Sequence, residues 1–391
     1  MPFIFIGLLL LTTTTVANEN NLQNPLQVDQ ATQIPKAAQF EPHKLETLIR
    51  LIHRFHYLRP TLAETQGAFV DPTTLNNYLQ SLDPYSKYIE ATRNEYYQKR
   101  QAKEQIGLGI NILVKDAILL AVPLYQGPAW KAGLKSPAYL ITIKQQKLSA
   151  HDFSSFRFLV ELLRGQKIPL QVSEHQSLKI SKSYSVTVDL FNNPAIEYLT
   201  VAKQKIIRIH AFDSRSMTRQ LQQFLHQAMQ QSNDIILDLR YCPGGSLYEA
   251  IDAVSLFIPA NLKVSYLRKH KQKRLRSLSS LSGKVTQNQQ IYLWVSPFTA
   301  SAAEIFAEAL QRYANAILVG TITAGKCLSQ QQFDFDDGST LQLSVFEILD
   351  SNKQTCQGKG LRPDIAIEPD NILNSQYYFE KMQNFKSISP N

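Results

Sequence analysis

The run DIILDLRYCPGGSLYEA, residues 234–250, constrains the fold of this chain most strongly. Its apolar, β-branched start predicts a buried strand, and the Pro-Gly-Gly that follows predicts a tight turn before a helix. An alternating strand, KIIRIHAF, and an amphipathic helix, TRQLQQFLHQAMQQ, precede this run, and a further strand, YLWVSP, follows it. Strands that alternate with helices indicate a mixed or parallel sheet. The sequence therefore predicts an α/β core over residues 196–370.

Ser301 and Lys326 are the leading candidates for catalytic groups. Ser301 opens the run SAAEIFAEAL, whose apolar residues recur at helical spacing, and Lys326 follows the apolar run AILVGTITAG. No histidine lies close to either residue in the sequence. A serine hydroxyl is a poor nucleophile until a base removes its proton. A serine, a lysine and a glycine turn in this chain suggest a Ser-Lys hydrolase, in which an uncharged lysine replaces histidine.

This chemistry places demands on the surroundings of both groups. A free lysine has a pKa of about 10.4, and lowering it by roughly 3 pH units for base catalysis near pH 7 requires about 4 kcal/mol. Burial beside the strand predicted before Lys326 can supply this, because desolvation disfavours the ammonium form. Backbone N–H groups are free at the start of a helix. We therefore expect the N–H of Ala302 and the turn Gly244-Gly245 to stabilise an oxyanion.

Each signal also has an ordinary structural explanation. A serine at a helix start is usually an N-cap, and glycine after proline usually marks a turn. His210 with Asp213 offers an alternative triad, although His210 is predicted to lie along a strand. Asp238 and Arg240 are interpreted as a structural pair at a strand end. The sequence has no G-x-S-x-G elbow, zinc-type cluster or phosphate loop, so no cofactor and no metal is expected.

Four segments carry a resemblance to a known family: LDLRYCPGG from Leu237, TASAAEI from Thr299, VGTITAGKCLSQ from Val319 and GKGLRPD from Gly358. They resemble the carboxy-terminal processing peptidases, also called tail-specific proteases. The resemblance implies a nucleophile at Ser301, a general base at Lys326 and a supporting polar residue at Gln330. It also implies a crotonase-like (ClpP/crotonase) α/β core. The chain departs from the family pattern at Thr299, Ala303, Ala324 and Cys327.

Residues 104–180 resemble an inserted, β-rich PDZ domain. The run Gly107-Leu108-Gly109-Ile110 is similar to a carboxylate-binding loop, and FRFLVELLRG, residues 156–165, to the helix beside the peptide groove. Successive backbone N–H groups can hold a terminal carboxylate while the peptide adds as a strand. The resemblance implies protein or peptide substrates with apolar C-termini, with an adaptor protein as a further partner. An ordinary glycine turn is the alternative, and the usual P-G-D of the groove rim is replaced by residues 136–140.

The N-terminal residues predict the cellular compartment of the protein. The apolar run FIFIGLLLL and the small residues after it predict a signal peptide over residues 1–17, although a basic start is missing. The run is shorter than the roughly 20 residues of a spanning helix, and the alternative is a disordered apolar leader or an uncleaved anchor. We expect an exported, periplasmic protein without a stable membrane span. The net charge is +9, but its lysines are scattered, so nucleic acid is not an expected partner.

The chain is predicted to have a flexible lead (18–38), a helical region (39–103), the PDZ-like domain (104–180), the peptidase core (181–370) and a C-terminal tail (371–391). The helical region ends in SLDPYSKYI, similar to the family's S-L-D-P-H-S-x-Y. Here Asp83-Pro84 is expected to stop a helix and to take no part in chemistry.

Three cysteines, Cys242, Cys327 and Cys356, allow three possible single bridges. The family resemblance brings the segment after Cys356 back against the core, which favours a Cys327–Cys356 bridge, with three free thiols as the alternative. Two functions remain open at this point. One is an exported Ser-Lys endopeptidase that recognises C-terminal tails, and the other is a catalytically weak or inactive scaffold that binds such tails.

Overall fold

The computed structural model describes residues 39–91, 104–115, 117–147, 163–178, 181–213, 215–269, 275–286 and 288–388. The predicted signal peptide (1–17) and flexible lead (18–38) lie outside these residues. No helix within the described ranges is long and apolar enough to cross a membrane. The helices there are α1 Pro42–Phe55, α2 Leu62–Thr65, α3 Pro72–Leu82, α4 Pro128–Lys131, α5 Arg215–Met229, α6 Leu247–Val254, α7 Ala302–Tyr313 and α8 Ser375–Ile388.

A six-stranded sheet forms the centre of the second half of the chain. In spatial order its strands are β18 Ile365–Ala366, β15 Ile317–Gly320, β14 Gln290–Val295, β11 Asp234–Asp238, β10 Gln204–Ile209 and β9 Ile196–Val201. Neighbouring strands are parallel except for β9, which runs antiparallel at one edge. The apolar run in β14 is buried because strands of such sheets are covered on both faces. The predicted mixed sheet of the α/β core is confirmed.

Helices cover both faces of this sheet. On one face, α5, α6 and α7 pack against side chains that include Leu237 and Leu293. On the other face, α8 packs against Trp294. Successive side chains of a strand point to opposite faces, so Leu293 and Trp294 contribute to different cores.

A second sheet connects the N-terminal helices to this core. Its strands are β1 Lys87–Ile89, β17 Thr340–Leu349, β12 Lys263–Arg268 and β13 Arg276–Ser279, with β16 Leu328–Asp334 on the opposite edge of β17. Leu48 of α1 and Leu79 of α3 pack against Leu343 of β17 in one buried cluster. The N-terminal helices are therefore anchored on the strand pair that follows Lys326.

Residues 104–192 form a β-rich unit, which we call the insert. A two-stranded ladder joins β2 Glu104–Gly107 to β8 Asp189–Asn192, and a five-stranded antiparallel sheet contains β3 Ile110–Lys115, β4 Ile118–Pro123, β5 Ala138–Ile143, β6 Lys167–Ser173 and β7 Lys182–Thr187. The boundary predicted at residue 180 is corrected to residue 192, because β7 and β8 pair with strands of the insert. Most of the predicted groove helix, residues 156–162, lies outside the described residues.

The described part of the predicted C-terminal tail (371–391) consists of a turn and helix α8, which packs against the core. Tyr378 of α8 is fully buried. The guanidinium of Arg240 donates to the Ile372 carbonyl oxygen at 3.0 Å and to Ser375 Oγ at 2.9 Å. Arg240 is itself paired with Asp238 at 2.8 Å. This buried pair therefore has the structural role expected from the sequence, and it also fixes the C-terminal helix to the core.

Candidate active site

Ser301 lies immediately before α7, at the end of the turn that follows β14. Its backbone has φ 60° and ψ −123°, in a region that residues other than glycine rarely adopt. Such strain costs about 1–3 kcal/mol and persists only where surrounding contacts enforce it. Those contacts are present: the Thr299 hydroxyl donates to the Leu239 carbonyl oxygen at 2.8 Å, and the Ala300 N–H donates to the Cys242 carbonyl oxygen at 3.1 Å. The serine turn is thus fixed to the segment that leads into Pro-Gly-Gly.

The Pro-Gly-Gly turn lies directly against Ser301. Gly244 has φ 104°, and a Cβ placed there would lie 2.7 Å from the Ala300 carbonyl oxygen and 2.8 Å from Ser301 Cβ. Glycine is required because no larger residue fits this contact. The N–H groups of Gly244 and Ala302 make no hydrogen bond to any described residue. Both can therefore donate to an oxyanion beside Ser301.

Gly245 is also tightly packed, but against a different neighbour. A Cβ at this position would lie 2.3 Å from the Phe212 carbonyl oxygen. The Phe212 N–H donates to the Gly244 carbonyl oxygen at 2.9 Å, and the Ser246 N–H donates to the Phe212 carbonyl oxygen. Gly245 therefore holds the turn in place against the segment after β10.

The carboxylate of Glu304 connects the serine to the lysine. Glu304 is fully buried. Its Oε2 accepts the main-chain N–H groups of Ser301 and Lys326, each at 2.9 Å. Its Oε1 accepts the Thr323 hydroxyl at 2.5 Å and the Gly325 N–H at 2.8 Å. Since one oxygen binds both nitrogens, the backbones of Ser301 and Lys326 lie within about 6 Å of each other.

The lysine side chain is partly buried beside this carboxylate. Its amine makes no hydrogen bond or ion pair within the described part of the chain. The pKa of Lys326 is lowered, first by desolvation and then by the positive charge of Lys87, while the charges of Glu304 and Asp83 oppose the decrease. This is the direction that a lysine acting as a base requires. Lys326 lies six residues beyond the end of β15, so an extended loop rather than the strand itself carries it.

Gln330, the third residue of the predicted catalytic set, lies on β16. Its side-chain amide donates to the Leu328 carbonyl oxygen at 2.7 Å and lies 3.5 Å from Ser344 Oγ. Ser344 in turn donates to the buried carboxylate of Asp83 at 2.8 Å. Gln330 therefore belongs to a polar network behind the lysine, and no hydrogen bond joins it to Lys326.

Sequence reasoning missed Glu304 as a functional residue and gave Asp83 only a helix-stop role. Asp83 does follow α3 as its C-terminal cap. Burial acts to raise the pKa of Asp83, but hydrogen bonds from His56, Ser86, Tyr85 and Ser344 outweigh it and hold the pKa at about 2. Glu304 and Asp83 both lie within motifs that resemble the family, and this resemblance was the sequence signal that could have identified them as functional residues.

A disulfide joins Cys327 to Cys356, and Cys242 is a buried free thiol. The bridge predicted from the family resemblance is present, directly after the candidate base. The Cys327 N–H also donates to the Gln357 side-chain oxygen at 2.8 Å. The lysine loop is therefore attached to the 350–358 loop both covalently and by a hydrogen bond.

The predicted carboxylate-binding loop, residues 107–110, is buried within the insert. The Ala129 N–H donates to the Leu108 carbonyl oxygen at 2.8 Å, and the Leu124 N–H donates to the Gly109 carbonyl oxygen at 3.0 Å. A Cβ at Gly109, which has φ 63°, would lie 2.4 Å from Pro128 Cδ. These contacts do not bring the loop to Ser301.

The insert nevertheless contacts both loops of the site. Leu120 and Val122 of β4 share a buried cluster with Tyr241 and Phe298, which precede the glycine turn and the serine respectively. The Lys115 amine also donates to the Pro297 carbonyl oxygen at 3.2 Å. The insert is therefore in direct contact with the segments that carry Gly244 and Ser301.

The alternative triad is not assembled. His210 Nε2 lies 2.8 Å from Glu197 Oε2 within a buried pair. Glu197 Oε1 accepts the N–H of Tyr125 in the insert at 2.8 Å. His210 and Glu197 therefore connect the core to the insert, which is a structural role.

Glu308 provides a test of the electrostatics around α7. Burial raises the pKa of Glu308 to about 7, and a hydrogen bond from Ser351 only partly opposes this. A raised pKa means that the folded state binds the proton more tightly, so the stability that protonation contributes is present at low pH and is lost as pH rises from about 4.5 to 7. Glu308→Gln is expected to increase the free energy of unfolding by about 1–3 kcal/mol at pH 8 and by little at pH 5. Denaturant unfolding at both pH values measures this, and an equal change at both would contradict it.

Comparison with known proteins finds a matching family model and similar sequences. Residues 204–367 match peptidase family S41. The chain is 24% identical over 402 residues to the "Probable CtpA-like serine protease" of Staphylococcus epidermidis (strain ATCC 12228 / FDA PCI 1200), covering 98% of this chain and 78% of that protein. The protein of the same name from Staphylococcus aureus (strain bovine RF122/ET3-1) is 25% identical over 340 residues, covering 85% and 66%.

A solved structure has a similar fold. The photosystem II D1 C-terminal processing protease superposes with a TM-score of 0.64 at 18% identity, covering 83% of this chain and 92% of that one. The S41 match across the core, together with these relatives, supports a serine-type peptidase. These matches support the carboxy-terminal processing peptidase family for this chain.

Proposed function

We propose that this protein is an exported serine endopeptidase that uses Ser301 as nucleophile and Lys326 as general base, and that it cleaves proteins after recognising their C-terminal tails. One observation carries the proposal: a single carboxylate oxygen of Glu304 binds the main chain of both residues. This contact holds serine and lysine in one arrangement without a histidine.

The proposed reaction follows from these positions. The neutral Lys326 amine takes the proton of the Ser301 hydroxyl as the oxygen attacks the substrate carbonyl carbon. The carbonyl oxygen becomes an oxyanion that accepts hydrogen bonds from the N–H groups of Ala302 and Gly244. The Lys326 ammonium then gives its proton to the leaving amine, and an acyl-enzyme remains. Water, deprotonated by the same lysine, then attacks the ester carbonyl. As the ester C–O bond breaks, the lysine ammonium returns this proton to the Ser301 oxygen, which releases the acid and restores the free serine and the neutral lysine.

The geometry around the lysine supports a neutral amine. Burial and the charge of Lys87 lower its pKa, and the amine has no anionic partner within hydrogen-bond distance among the described residues. The Cys327–Cys356 bridge supports export, because disulfides persist in oxidising compartments. We further propose that the core has the crotonase-like fold of the family.

The test of this function compares the protein with its Ser301→Ala form. An unstructured polypeptide with an apolar C-terminal tail is incubated with each, and the products are identified by mass spectrometry. We expect cleavage by the unmodified protein and none by Ser301→Ala, with identical circular dichroism. Tail binding without cleavage by either form would favour the scaffold function instead.

Recognition is proposed to reside in the insert, acting as a PDZ-like module. The N–H groups of Leu108 and Gly109 make no hydrogen bond within the described part of the chain, so they would be available to a terminal carboxylate once the buried loop is opened to it. Because β4 of the insert packs on Tyr241 and Phe298, occupancy there can be transmitted to the site.

Amidating the substrate C-terminus is expected to reduce kcat/KM by about tenfold or more, because the charge that the loop would bind is removed. The scissile bond is unchanged, so the loss should appear chiefly in KM. Steady-state kinetics on paired free-acid and amidated substrates measures it. Equal values for the two would rule out carboxylate binding and leave the insert a structural role.

A further inference from the structure

The segment after α3, residues 83–87, lies against the candidate base. The Lys326 amine is positioned over the ring of Tyr85, with Nζ 4.9 Å from the ring centroid. The family pattern has a histidine at this position, so the phenol ring that faces the amine is a feature of this chain. The contact joins an N-terminal turn to a loop of the core more than two hundred residues later.

The backbone of Tyr85 is held from both sides. Its N–H donates to Asp83 Oδ1 at 2.8 Å, and its carbonyl oxygen accepts the Gln342 side-chain amide at 2.9 Å. The next residue, Ser86, donates its hydroxyl to Asp83 Oδ2 at 2.5 Å and accepts the Ser344 N–H at 2.9 Å. The turn that carries the ring is therefore fixed to β17.

The Asp83 carboxylate supports this turn from below through several hydrogen bonds. His56, at the end of α1, places Nε2 2.8 Å from Asp83 Oδ2, and Ser344 donates to Oδ1 at 2.8 Å. His56 and Ser344 are fully buried, and Asp83 is nearly so. Charge-assisted hydrogen bonds of this kind are short and geometrically specific. A buried network of this type requires its members to be in place together, so the main chain that carries the Tyr85 ring is held in one position.

We propose that Tyr85 is a positioning residue for the Lys326 amine, with its ring limiting both the path of the side chain and the access of water to it. This inference rests on the proposed function, in which Lys326 must be a neutral base. The ring contacts the Lys326 amine, so its proposed effect is exerted through the lysine.

The expected direction follows from the groups that face the amine. The charge of Lys87 on β1 disfavours the ammonium form, whereas the charges of Glu304 on α7 and Asp83 favour it. The ring itself has two opposing effects: it excludes water, and its face attracts a cation. Desolvation is the largest influence on Lys326, so removing the ring should admit water and stabilise the ammonium form.

The experiment measures the amine directly, in the Ser301→Ala background. Competitive labelling with trace acetic anhydride from pH 6 to 11, followed by peptide mass spectrometry, reports the titration of Lys326. We expect Tyr85→Ala to raise the apparent pKa by about one unit, and Tyr85→Phe, which keeps the ring, to leave it unchanged. Tyr85→Leu is included in case the alanine form fails to fold, and it is expected to raise the pKa by a smaller amount.

The same substitutions with Ser301 intact are tested for turnover. Because each unit of pKa changes the neutral fraction tenfold, kcat/KM at pH 7 should fall about tenfold in Tyr85→Ala and recover as pH rises. An unchanged or lowered lysine pKa in a folded Tyr85→Ala or Tyr85→Leu form would overturn the proposal. If the labelling shift appears but the unmodified protein cleaves no substrate, the proposed function fails while the positioning role stands.

Discussion

Lys326→Met is expected to reduce kcat/KM for an unstructured peptide substrate at least ~10³-fold, since general-base catalysis contributes about 10²–10⁴ and loss of one member of a catalytic unit often removes nearly all activity. Methionine has a similar length and no basic atom, so it fits the partly buried site without supplying a base. Turnover assays with matched thermal melting measure the effect. Residual activity within tenfold of the unmodified protein would remove lysine from the mechanism.

The pH dependence of kcat/KM tests whether Lys326 acts as a base or only supports the structure of the site. Because burial and Lys87 lower the pKa of Lys326, kcat/KM should rise with an apparent pKa below the ordinary lysine value of about 10.4. A rate that keeps climbing to about pH 10 would show that the lysine is not desolvated. Lys381 belongs to α8 and pairs with Glu368 at the surface. Lys381→Met is therefore the matched control, and this substitution should leave the pH profile unchanged.

The core sheet was predictable because its signals are local. Between residues 196 and 370, the hydrophobic periodicity of each segment identifies it as a strand or a helix. The alternation of strands and helices implies parallel pairing. The candidate site followed for a similar reason: the turn at Gly244, the helix start at Ser301 and the lysine loop are each visible in short motifs. Their convergence at the ends of neighbouring strands follows from the sheet.

The remaining features depend on contacts between distant segments, which single-sequence patterns do not encode. The C-terminal residues look polar enough for a tail, but Arg240 binds Ile372 and Ser375 from inside the core. Asp83 looks like a helix stop, and it is one, yet its carboxylate also accepts hydrogen bonds from His56 and Ser344. Periodicity reports which face of an element is apolar, and it carries no information on which distant polar group will meet it.

Glu304 is the clearest example, because a glutamate in the first turn of a helix has an ordinary explanation. An acidic residue there interacts favourably with the helix dipole and often caps the N-terminus. Glu304 does accept the Ser301 N–H, as such a residue would. Its additional hydrogen bonds from Thr323, Gly325 and Lys326 are what connect nucleophile and base.

Glu304→Gln is expected to lower kcat/KM at least ~10²-fold, because misplacing catalytic groups by about 1 Å has effects of that size. It should also lower the free energy of unfolding by about 2–5 kcal/mol. An amide has only one acceptor oxygen, so its NH2 group must face either the N–H groups of Ser301 and Lys326 or that of Gly325. At least one buried main-chain donor is then left without an acceptor.

The matched control is the same substitution one helical turn later. Glu308→Gln changes the same functional group on the same face of α7, but Glu308 contacts Ser351 rather than the lysine loop. It should therefore retain activity, and it should be more stable at pH 8. Peptide turnover and denaturant unfolding of the two variants side by side decide the matter. If Glu304→Gln keeps full activity, or loses no more stability than Glu308→Gln, then the carboxylate does not hold serine and lysine together, and their arrangement must come from the disulfide and the glycine turn.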